Sequence, residues 1–273
     1  MLGNFGRRVH MRRMESMLVF DRKAVRHHRD RAAATVGSVA DVLRDMAERL
    51  VDRVDDTSRR FETALDIGGR GVVAPLLRAR GLDVVSCDLS RRMVRLNDGP
   101  VVVADEEFLP FGPGSFDLVV ASLSLHWVND LPGALLQIRQ TLKPGGLFLA
   151  SVPALGTLAS LRTCLTEAEI ALTGGAAPRV SPFPELRDCA HLLQRAGFAL
   201  PVADLEEIAV LYANPLALLR DLRAAGETNA VRLRDMRPPN RDLFPMALAE
   251  MPREGDRVKA VLRMAVMTGW APD

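Results

Sequence analysis

The spacing of apolar residues alternates along the chain between two patterns. Short apolar runs that end at glycine, proline or an acid are typical of buried strands, whereas apolar residues repeated at helical spacing predict helices. The predicted strands are 64–67, 82–87, 101–103, 116–122, 147–151, 198–202, 208–212 and 260–268. The predicted helices are 36–54, 72–80, 90–97, 129–142, 184–196 and 215–225.

Strands that alternate with helices predict an α/β fold. Such strands form a mostly parallel sheet with helices on both of its faces. Residues 213–257 lie between the last two predicted strands, as a helical insertion that is well placed to cover a pocket. We therefore expect one domain over residues 32–273, with this insertion near its C-terminal end.

Residues 1–31 differ from the rest of the chain. They are rich in arginine and show no apolar period, which predicts a flexible basic segment outside the domain. Mitochondrial transit peptides are also rich in arginine, but they are rich in serine and poor in acids. Glu15, Asp21 and Asp30, together with the scarcity of serine, argue against a transit peptide.

Composition and charge narrow the classes of partner. Among 273 residues, 36 basic and 34 acidic side chains give a net charge of +2, which does not favour binding to nucleic acid. The longest uncharged run lies between Lys143 and Arg162, and prolines and glycines interrupt it, which argues against a membrane-spanning helix. The three cysteines show neither metal-ligand nor disulfide spacing, which favours a reducing compartment such as the bacterial cytoplasm.

A glycine-containing loop follows the first predicted strand. It contains Gly68, Gly69 and Gly71, comes directly after a strand that carries Asp66, and leads into a helix. Glycines at such a turn let the backbone approach a ligand, and the free N–H groups of the next helix point at that ligand. Taken alone the signal is weak, because an ordinary strand–turn–helix corner has the same pattern.

Acids at the ends of the next strands strengthen the signal. Asp88 closes the second strand, and an acid at this distance from a glycine loop is placed to hydrogen-bond ribose hydroxyls. Asp105 and Glu106 follow the third strand, where they could accept from the amine of an adenine or simply be solvated acids of a turn. Ligands of open α/β sheets bind beyond the carboxyl ends of the strands, so we predict a nucleotide site there.

The segment after the fourth strand adds a second candidate site. His126 could act as an acid or base near neutral pH, or it could hydrogen-bond a backbone carbonyl. Trp127 is interpreted as packing a helix onto the sheet. Asn129 is interpreted as the N-cap of the helix that follows.

The order of these motifs resembles that of class I S-adenosylmethionine-dependent methyltransferases. Within them, the chain is similar to the group of the mitochondrial complex I assembly factor that hydroxylates an arginine of a complex I subunit, and more distantly to the malonyl-carrier-protein methyltransferases of biotin synthesis. The matching segments are 104–111, 116–119, 123–132, 142–146, 180–183, 192–198, 221–229 and 268–270.

The resemblance implies a Rossmann-like class I methyltransferase fold, with a mostly parallel seven-stranded sheet and S-adenosyl-L-methionine as the cofactor. It implies methyl transfer to a protein or small-molecule acceptor, or hydroxylation of a protein arginine, with a respiratory complex I subunit as partner and at most peripheral contact with the inner membrane. No histidine–carboxylate pattern predicts a metal site. His126 is the catalytic candidate, and the residues expected to bind the cofactor are Asp66, Gly68, Gly69, Gly71, Asp88, Leu89, Asp105, Glu106 and Leu123.

The glycine loop also supports an alternative to an enzyme. The family pattern is D-x-G-x-G-x-G, whereas Asp66–Gly71 reads Asp-Ile-Gly-Gly-Arg-Gly and is one residue shorter. A deletion inside this turn shifts the backbone N–H groups that would meet the cofactor. The alternative is a non-enzymatic scaffold for complex I assembly, with a degenerate cofactor loop.

Overall fold

A mixed eight-stranded sheet organises the structure, a computed structural model that describes residues 18–273. The strands are β1 (Thr63–Ile67), β2 (Asp83–Asp88), β3 (Val101–Val103), β4 (Phe116–Ser122), β5 (Leu142–Pro153), β6 (Ala199–Tyr212), β7 (Arg253–Glu254) and β8 (Arg257–Trp270). Their order across the sheet is β3-β2-β1-β4-β5-β8-β6, and β7 pairs with β8. Strands β1 to β5 are parallel, whereas β8 is antiparallel to both β5 and β6.

The helices cover the sheet and the insertion. They are α1 (Arg22–Ala32), α2 (Ala40–Asp55), α3 (Val73–Ala79), α4 (Arg91–Val94), α5 (Leu131–Thr141), α6 (Ala159–Thr173), α7 (Leu186–Arg195), α8 (Pro215–Ala224) and α9 (Leu243–Ala249). Two 3-10 turns, Val36–Val39 and Leu125–Trp127, precede α2 and α5. Within residues 18–273, no helix combines the length and the apolar character needed to cross a membrane.

Alternate residues of the central strands pack on opposite faces of the sheet. Val119 of β4 belongs to an apolar cluster that includes Ile138 of α5. Its neighbour Val120 belongs to another cluster, which includes Leu50 of α2 and Leu77 of α3. Both faces are therefore covered, which explains the continuous apolar runs and confirms the predicted α/β fold.

The far edge of the sheet differs from the prediction. The resemblance implies seven strands, and the sheet has eight because the two-residue β7 forms a hairpin with β8. The predicted strands 198–202 and 208–212 are one continuous strand, β6. Acids interrupt the apolar pattern of β6. Two of them, Asp204 and Glu206, pair with Arg53 of α2, so the strand can include them.

Helix α6 is missing from the sequence predictions. Its buried residues Leu161, Cys164, Leu165 and Ala168 do recur at helical spacing. The prolines and glycines that precede α6 predict a loop, and they obscure this signal.

The basic segment predicted at residues 1–31 differs from expectation in its second half. Residues 1–17 lie outside the described residues, whereas residues 22–32 form α1. Val25, Arg29 and Ala32 are buried on one face of α1, so a flexible segment outside the domain is the wrong prediction for this part. Arg29 interrupts the apolar spacing, yet it is buried because it pairs with acids of the sheet.

The insertion between β6 and β8 contains α8, α9 and β7. Leu218 of α8 and Leu243 of α9 pack in one apolar cluster with Leu161 of α6 and Ala260 of β8. The insertion thus forms a helical layer against α6 and β8, beside the carboxyl end of β4.

Candidate functional site

The carboxyl ends of four parallel strands meet at one edge of the sheet. Strands β3, β2, β1 and β4 are neighbours in that order, and each pair is parallel. Asp88 is the last residue of β2, and Asp105 follows β3. Leu123 follows β4 and has a left-handed backbone with a φ of 53°. The strand pattern thus brings the predicted cofactor residues to one edge.

The glycine loop after β1 is tightly packed. Gly68 has a φ of +77°, and a Cβ atom added to it would lie 2.3 Å from the Cβ atom of Ser124. The backbone N–H groups of Gly68 and Gly69 both donate to the carbonyl of Cys87, at 2.8 and 3.0 Å. Gly71 also has a positive φ, and its N–H donates to the side chain of Asn97 at 3.1 Å. Three N–H groups of the loop therefore already have partners inside the protein.

Asp66 lies beneath this loop. It is buried, and its Oδ2 accepts a hydrogen bond from Ser86 Oγ at 3.3 Å. Burial raises the pKa of Asp66 to about 7. Its role at the methionine end of the cofactor stays a prediction.

Two arginines of α1 pair with the acids at the strand ends. Arg29 Nη1 donates to Asp88 Oδ2 at 2.6 Å and to Glu106 Oε1 at 3.1 Å. Arg22 Nη2 donates to Asp105 Oδ1 at 2.5 Å and also to Glu106. Burial by itself would raise the pKa of Glu106, but the charges of Arg29 and Arg22 outweigh it and lower this pKa. The predicted nucleoside acids thus form an ion-pair network with α1.

Two hydrophobic residues, the cofactor candidate Leu89 and Phe108, lie at the outer part of this edge. Leu89 is partly buried and packs on the apolar cluster of Phe20, Val25 and Trp127. Phe108, which follows the predicted adenine acids, is 75% exposed. Leu89 therefore lies against α1, whereas Phe108 faces solvent.

A second network surrounds His126. Its Nε2 lies 2.8 Å from Glu227 Oε2, and the same oxygen accepts from Trp127 Nε1 at 2.9 Å. Arg70 of the glycine loop donates to Glu227 Oε1 at 2.5 Å and to the carbonyl of Leu123 at 2.7 Å. Burial opposes ionisation of Glu227, but its interactions with His126, Arg70 and Arg29 prevail and hold its pKa well below the ordinary value.

This network fixes the tautomer of His126. An ionised carboxylate only accepts hydrogen bonds, so the proton of a neutral His126 lies on Nε2. Nδ1 then carries a lone pair, and this buried atom has no hydrogen-bond partner among residues 18–273. The arrangement gives His126 the properties of a general base with its orientation set by Glu227.

Residues that flank His126 have structural roles. The Trp127 ring packs edge-on against Phe20, with 5.3 Å between the ring centroids. Asp130, and not Asn129 as predicted, caps α5, because its side chain accepts from the N–H of Gly133. Asn129 instead exchanges hydrogen bonds with the backbone of Phe20 at 2.8 and 3.2 Å. Both Trp127 and Asn129 therefore hold the chain just before α1.

A cavity of about 600 Å³ lies next to His126, between the insertion and the sheet. His126, Leu123 and Glu227 contribute to its wall. Most of the remaining wall is apolar and includes Leu43, Met46, Leu161, Leu219 and Met264. Its volume and mostly apolar lining are those of a small-molecule pocket, and Arg220, Asp221 and Arg223 of α8 add further polar groups to the wall.

Four site residues were missed by sequence reasoning: Arg22 and Arg70, which pair with acids of the site, and Glu227 and Arg29. Glu227 lies in the segment 221–229 that matched the resembled family, but it is 101 positions from His126. Arg29 lies 59 positions from Asp88, in a segment that was predicted to be flexible. The local sign of the role of Arg29 is its place in a buried stripe of α1, between Val25 and Ala32.

Comparison with known proteins identifies the class. Residues 26–201 match the methyltransferase domain family, and the chain belongs to this family. It is 40% identical over 271 residues to arginine-hydroxylase NDUFAF5, mitochondrial, of Danio rerio, across 94% of this chain and 84% of that protein. It is 30% identical over 269 residues to the malonyl-[acyl-carrier protein] O-methyltransferase of Xylella fastidiosa, across 93% and 89% of the two chains. The crystal structure of the YcgJ protein of Bacillus subtilis shares the fold, with a TM-score of 0.57, 15% identity and 82% and 98% of the chains covered.

The family and the fold support S-adenosylmethionine as the cofactor. The strand-end residues suit it, since Asp88 ends β2 where a ribose is bound in open α/β sheets. Arg70 Nε and Nη1 are buried without a hydrogen-bond partner among residues 18–273, so this cation has donors left for an anionic group such as the carboxylate of the cofactor. In this structure, however, the carboxylate of Asp88 is paired with Arg29.

Proposed function

We propose that this protein is an S-adenosylmethionine-dependent enzyme whose acceptor enters the cavity beside His126. The observation that carries the proposal is the His126–Glu227 pair, with 2.8 Å between Nε2 and Oε2. His126 and Leu123 line the cavity, and Leu123 is also at the strand edge assigned to the cofactor. The pair thus lies where donor and acceptor would meet.

Methyl transfer is the reaction that this geometry supports best. The bound cofactor would supply an activated methyl group. His126 Nδ1 is placed to accept the proton that the hydroxyl or amine of an acceptor loses, and Glu227 would stabilise the resulting imidazolium. Arg70 holds Glu227 and the carbonyl of Leu123 in position. The remaining work is positioning, which in itself contributes strongly to rate.

The cavity favours an acceptor with an apolar body. Its wall is mostly aliphatic, and burial of apolar surface there would provide the binding free energy. Glu227, the acid next to His126, already accepts hydrogen bonds from Arg70, His126 and Trp127. A cationic acceptor would therefore need another acidic partner, and Asp221 is a second acid in the cavity wall.

A second candidate reaction is hydroxylation of an arginine in a respiratory complex I subunit. It is favoured by relatives named arginine-hydroxylase, which are 40% identical over 271 residues in Danio rerio and over 265 residues in Homo sapiens. Inserting one oxygen atom into a C–H bond needs molecular oxygen and two electrons from a reductant. A complex I partner would also bring this protein to the surface of the inner membrane.

The third hypothesis is a scaffold for complex I assembly without catalysis. The short glycine loop favours it, and so does the pairing of Asp88 with Arg29 at the position assigned to the ribose. A scaffold would bind its subunit in the absence of S-adenosylmethionine and would change no covalent bond.

One labelling experiment separates these three functions. Purified protein is incubated with respiratory membranes from cells that lack it and with S-adenosylmethionine carrying a deuterated methyl group, and all products are analysed by mass spectrometry. Methyl transfer places the label on an acceptor, hydroxylation adds an unlabelled oxygen to an arginine, and a scaffold yields neither product. We expect a labelled acceptor.

The His126→Asn variant tests the assigned base. Removal of a general base lowers turnover by about 10²–10⁴-fold, which is the loss that we expect. His191→Asn is the matched control, because His191 is exposed on α7. Equal turnover of His126→Asn and the wild type would remove His126 from the mechanism.

A further inference from the structure

We propose that Arg29 and the nucleoside part of the cofactor bind at the same place and exclude each other. The proposal rests on the cofactor assignment above and gives α1 a role in the control of cofactor binding. In the structure described here, α1 holds the strand-end acids, and cofactor binding requires Arg29 to leave them.

The carboxylate of Asp88 has both oxygens engaged. Oδ1 accepts from the backbone N–H of Ser90 and Oδ2 accepts from Arg29 Nη1, each at 2.6 Å. Ribose hydroxyls bound to Asp88 would have to replace the bond from Arg29. The same Nη1 atom lies 3.5 Å from the place that a Cβ atom would take on Gly68. The guanidinium therefore fills the space between the glycine loop and Asp88.

The acids assigned to the adenine are also paired with arginines of α1. Glu106 is buried and accepts from both Arg29 and Arg22, and Arg22 also pairs with Asp105. Together, the two arginines bind all three acids that were assigned to the nucleoside. The competition thus covers the ribose and adenine positions.

Arg29 is held by strong ion pairs, but not all of its N–H groups are hydrogen-bonded. Without a cation, buried Asp88 and Glu106 would be unpaired charges, which strongly favours the docked position of α1. Yet Nε and Nη2 of Arg29 are buried and have no hydrogen-bond partner within the described part of the chain. Buried donors without partners cost free energy, so a ligand that binds the acids can displace this side chain.

The start of α1 is linked to the His126–Glu227 network. The N–H of Asp21 donates to the carbonyl of Ala230 at 2.8 Å, and Phe20 forms a β-bridge with Val231. Phe20 also packs on Trp127, which donates to Glu227. Displacement of α1 would therefore change the surroundings of Trp127.

Calorimetric titration with S-adenosylmethionine tests the competition. The variants are Arg29→Met, which keeps the apolar stem without the charge, and Arg26→Met, a control on the exposed side of the same helix. We expect Arg29→Met to bind about tenfold more tightly than the wild type, because removal of a competing state raises the binding-competent fraction. Arg26→Met should bind like the wild type.

The outcomes separate this proposal from the proposed function. Weaker binding by Arg29→Met would overturn the competition and make Arg29 an ordinary ligand of the cofactor, with the enzyme hypothesis intact. Absence of binding in the wild type together with binding by Arg29→Met would support the competition. Absence of binding in every folded variant would contradict the cofactor assignment and the competition together.

Tryptophan fluorescence gives a readout that does not depend on Arg29 variants. The chain has two tryptophans, so a Trp270→Phe background leaves Trp127 as the only one. We expect its emission maximum to shift as S-adenosylmethionine binds, because Phe20 moves away with α1. Saturated binding with an unchanged maximum would overturn the proposal.

Discussion

At the scale of single residues, buried charges determine the candidate site. Asp66, Asp88 and Glu106 are all buried at the carboxyl edge of the parallel strands. Asp88 and Glu106 each have an arginine partner, whereas the side-chain partner of Asp66 within residues 18–273 is the hydroxyl of Ser86. Burial disfavours the charged carboxylate, and this is the main cause of the raised pKa of Asp66; the nearby charge of Asp88 adds to it.

Asp66 should make the stability of the protein depend on pH. Its pKa is about 7 in the folded state, compared with 3.8 for an unperturbed aspartate. Between these values the unfolded chain loses its proton first, so the contribution of Asp66 to stability falls as the pH rises through this window. The contribution is greatest below pH about 4 and least above pH about 7.

The Asp66→Asn variant removes this titration. The wild type loses stability as the pH rises from about 4 to about 8, whereas the variant does not lose this contribution. We therefore expect the difference in unfolding free energy, variant minus wild type, to grow by up to roughly 4 kcal/mol over this range, which corresponds to a pKa shift of about three units. Urea unfolding at several pH values measures the difference. Asp83→Asn, at the exposed start of β2, is the control. A difference that does not change with pH would show that Asp66 titrates normally.

Sequence could predict some of these residues and not others. Asp88 and Asp105 follow strands, and parallel neighbouring strands end at the same edge, so local pattern was enough to bring them together. Arg29 and Glu227 depend on contacts between distant parts of the chain, which no local pattern specifies. The sequence also gives no sign that the N–H groups of Gly68 and Gly69 donate to the carbonyl of Cys87.

At the scale of elements, α1 is the least expected part of the fold. The periodicity rule finds helices by their apolar stripe, and the stripe of α1 has an arginine at its centre. Helix α6 had a regular stripe but followed a loop-like sequence, and β6 contains acids that pair outside the strand. In each case, tertiary partners determined an element that local pattern left ambiguous.

The N-cap of α1 offers a test at this scale. The side chain of Asp21 accepts from the N–H groups of Lys23 and Ala24 and pairs with Arg234 at 3.0 Å. Loss of such a cap costs about 1 kcal/mol. We expect Asp21→Ala to weaken the docking of α1 and to increase tryptic cleavage at its arginines about fivefold.

Asp130→Ala is the matched control for Asp21→Ala. It removes the cap of α5 without touching Asn129, the neighbour that hydrogen-bonds Phe20 just before α1, and should leave cleavage within α1 unchanged. Equal cleavage of α1 in Asp21→Ala and the wild type would show that the cap does not hold the helix in place.

At the scale of the whole molecule, the end of β4 separates two sites. On one side lie the glycine loop and the acids, which α1 holds, and on the other lies the apolar cavity under the insertion. Arg70 and Glu227 connect the two sides through Leu123 and His126. The family and the α/β fold were predictable from motif order, but this division was not, because it depends on where α1 and the insertion pack.

Amide hydrogen exchange with and without S-adenosylhomocysteine tests most directly the claim that the cofactor and α1 bind the same edge. Residues 66–71 should exchange more slowly when the ligand is bound, because the loop packs against it. Residues 22–32 should exchange faster, because α1 loses its ion pairs with Asp88 and Glu106. Slower exchange in both segments would contradict the claim and would mean that α1 closes over the cofactor instead of giving way to it.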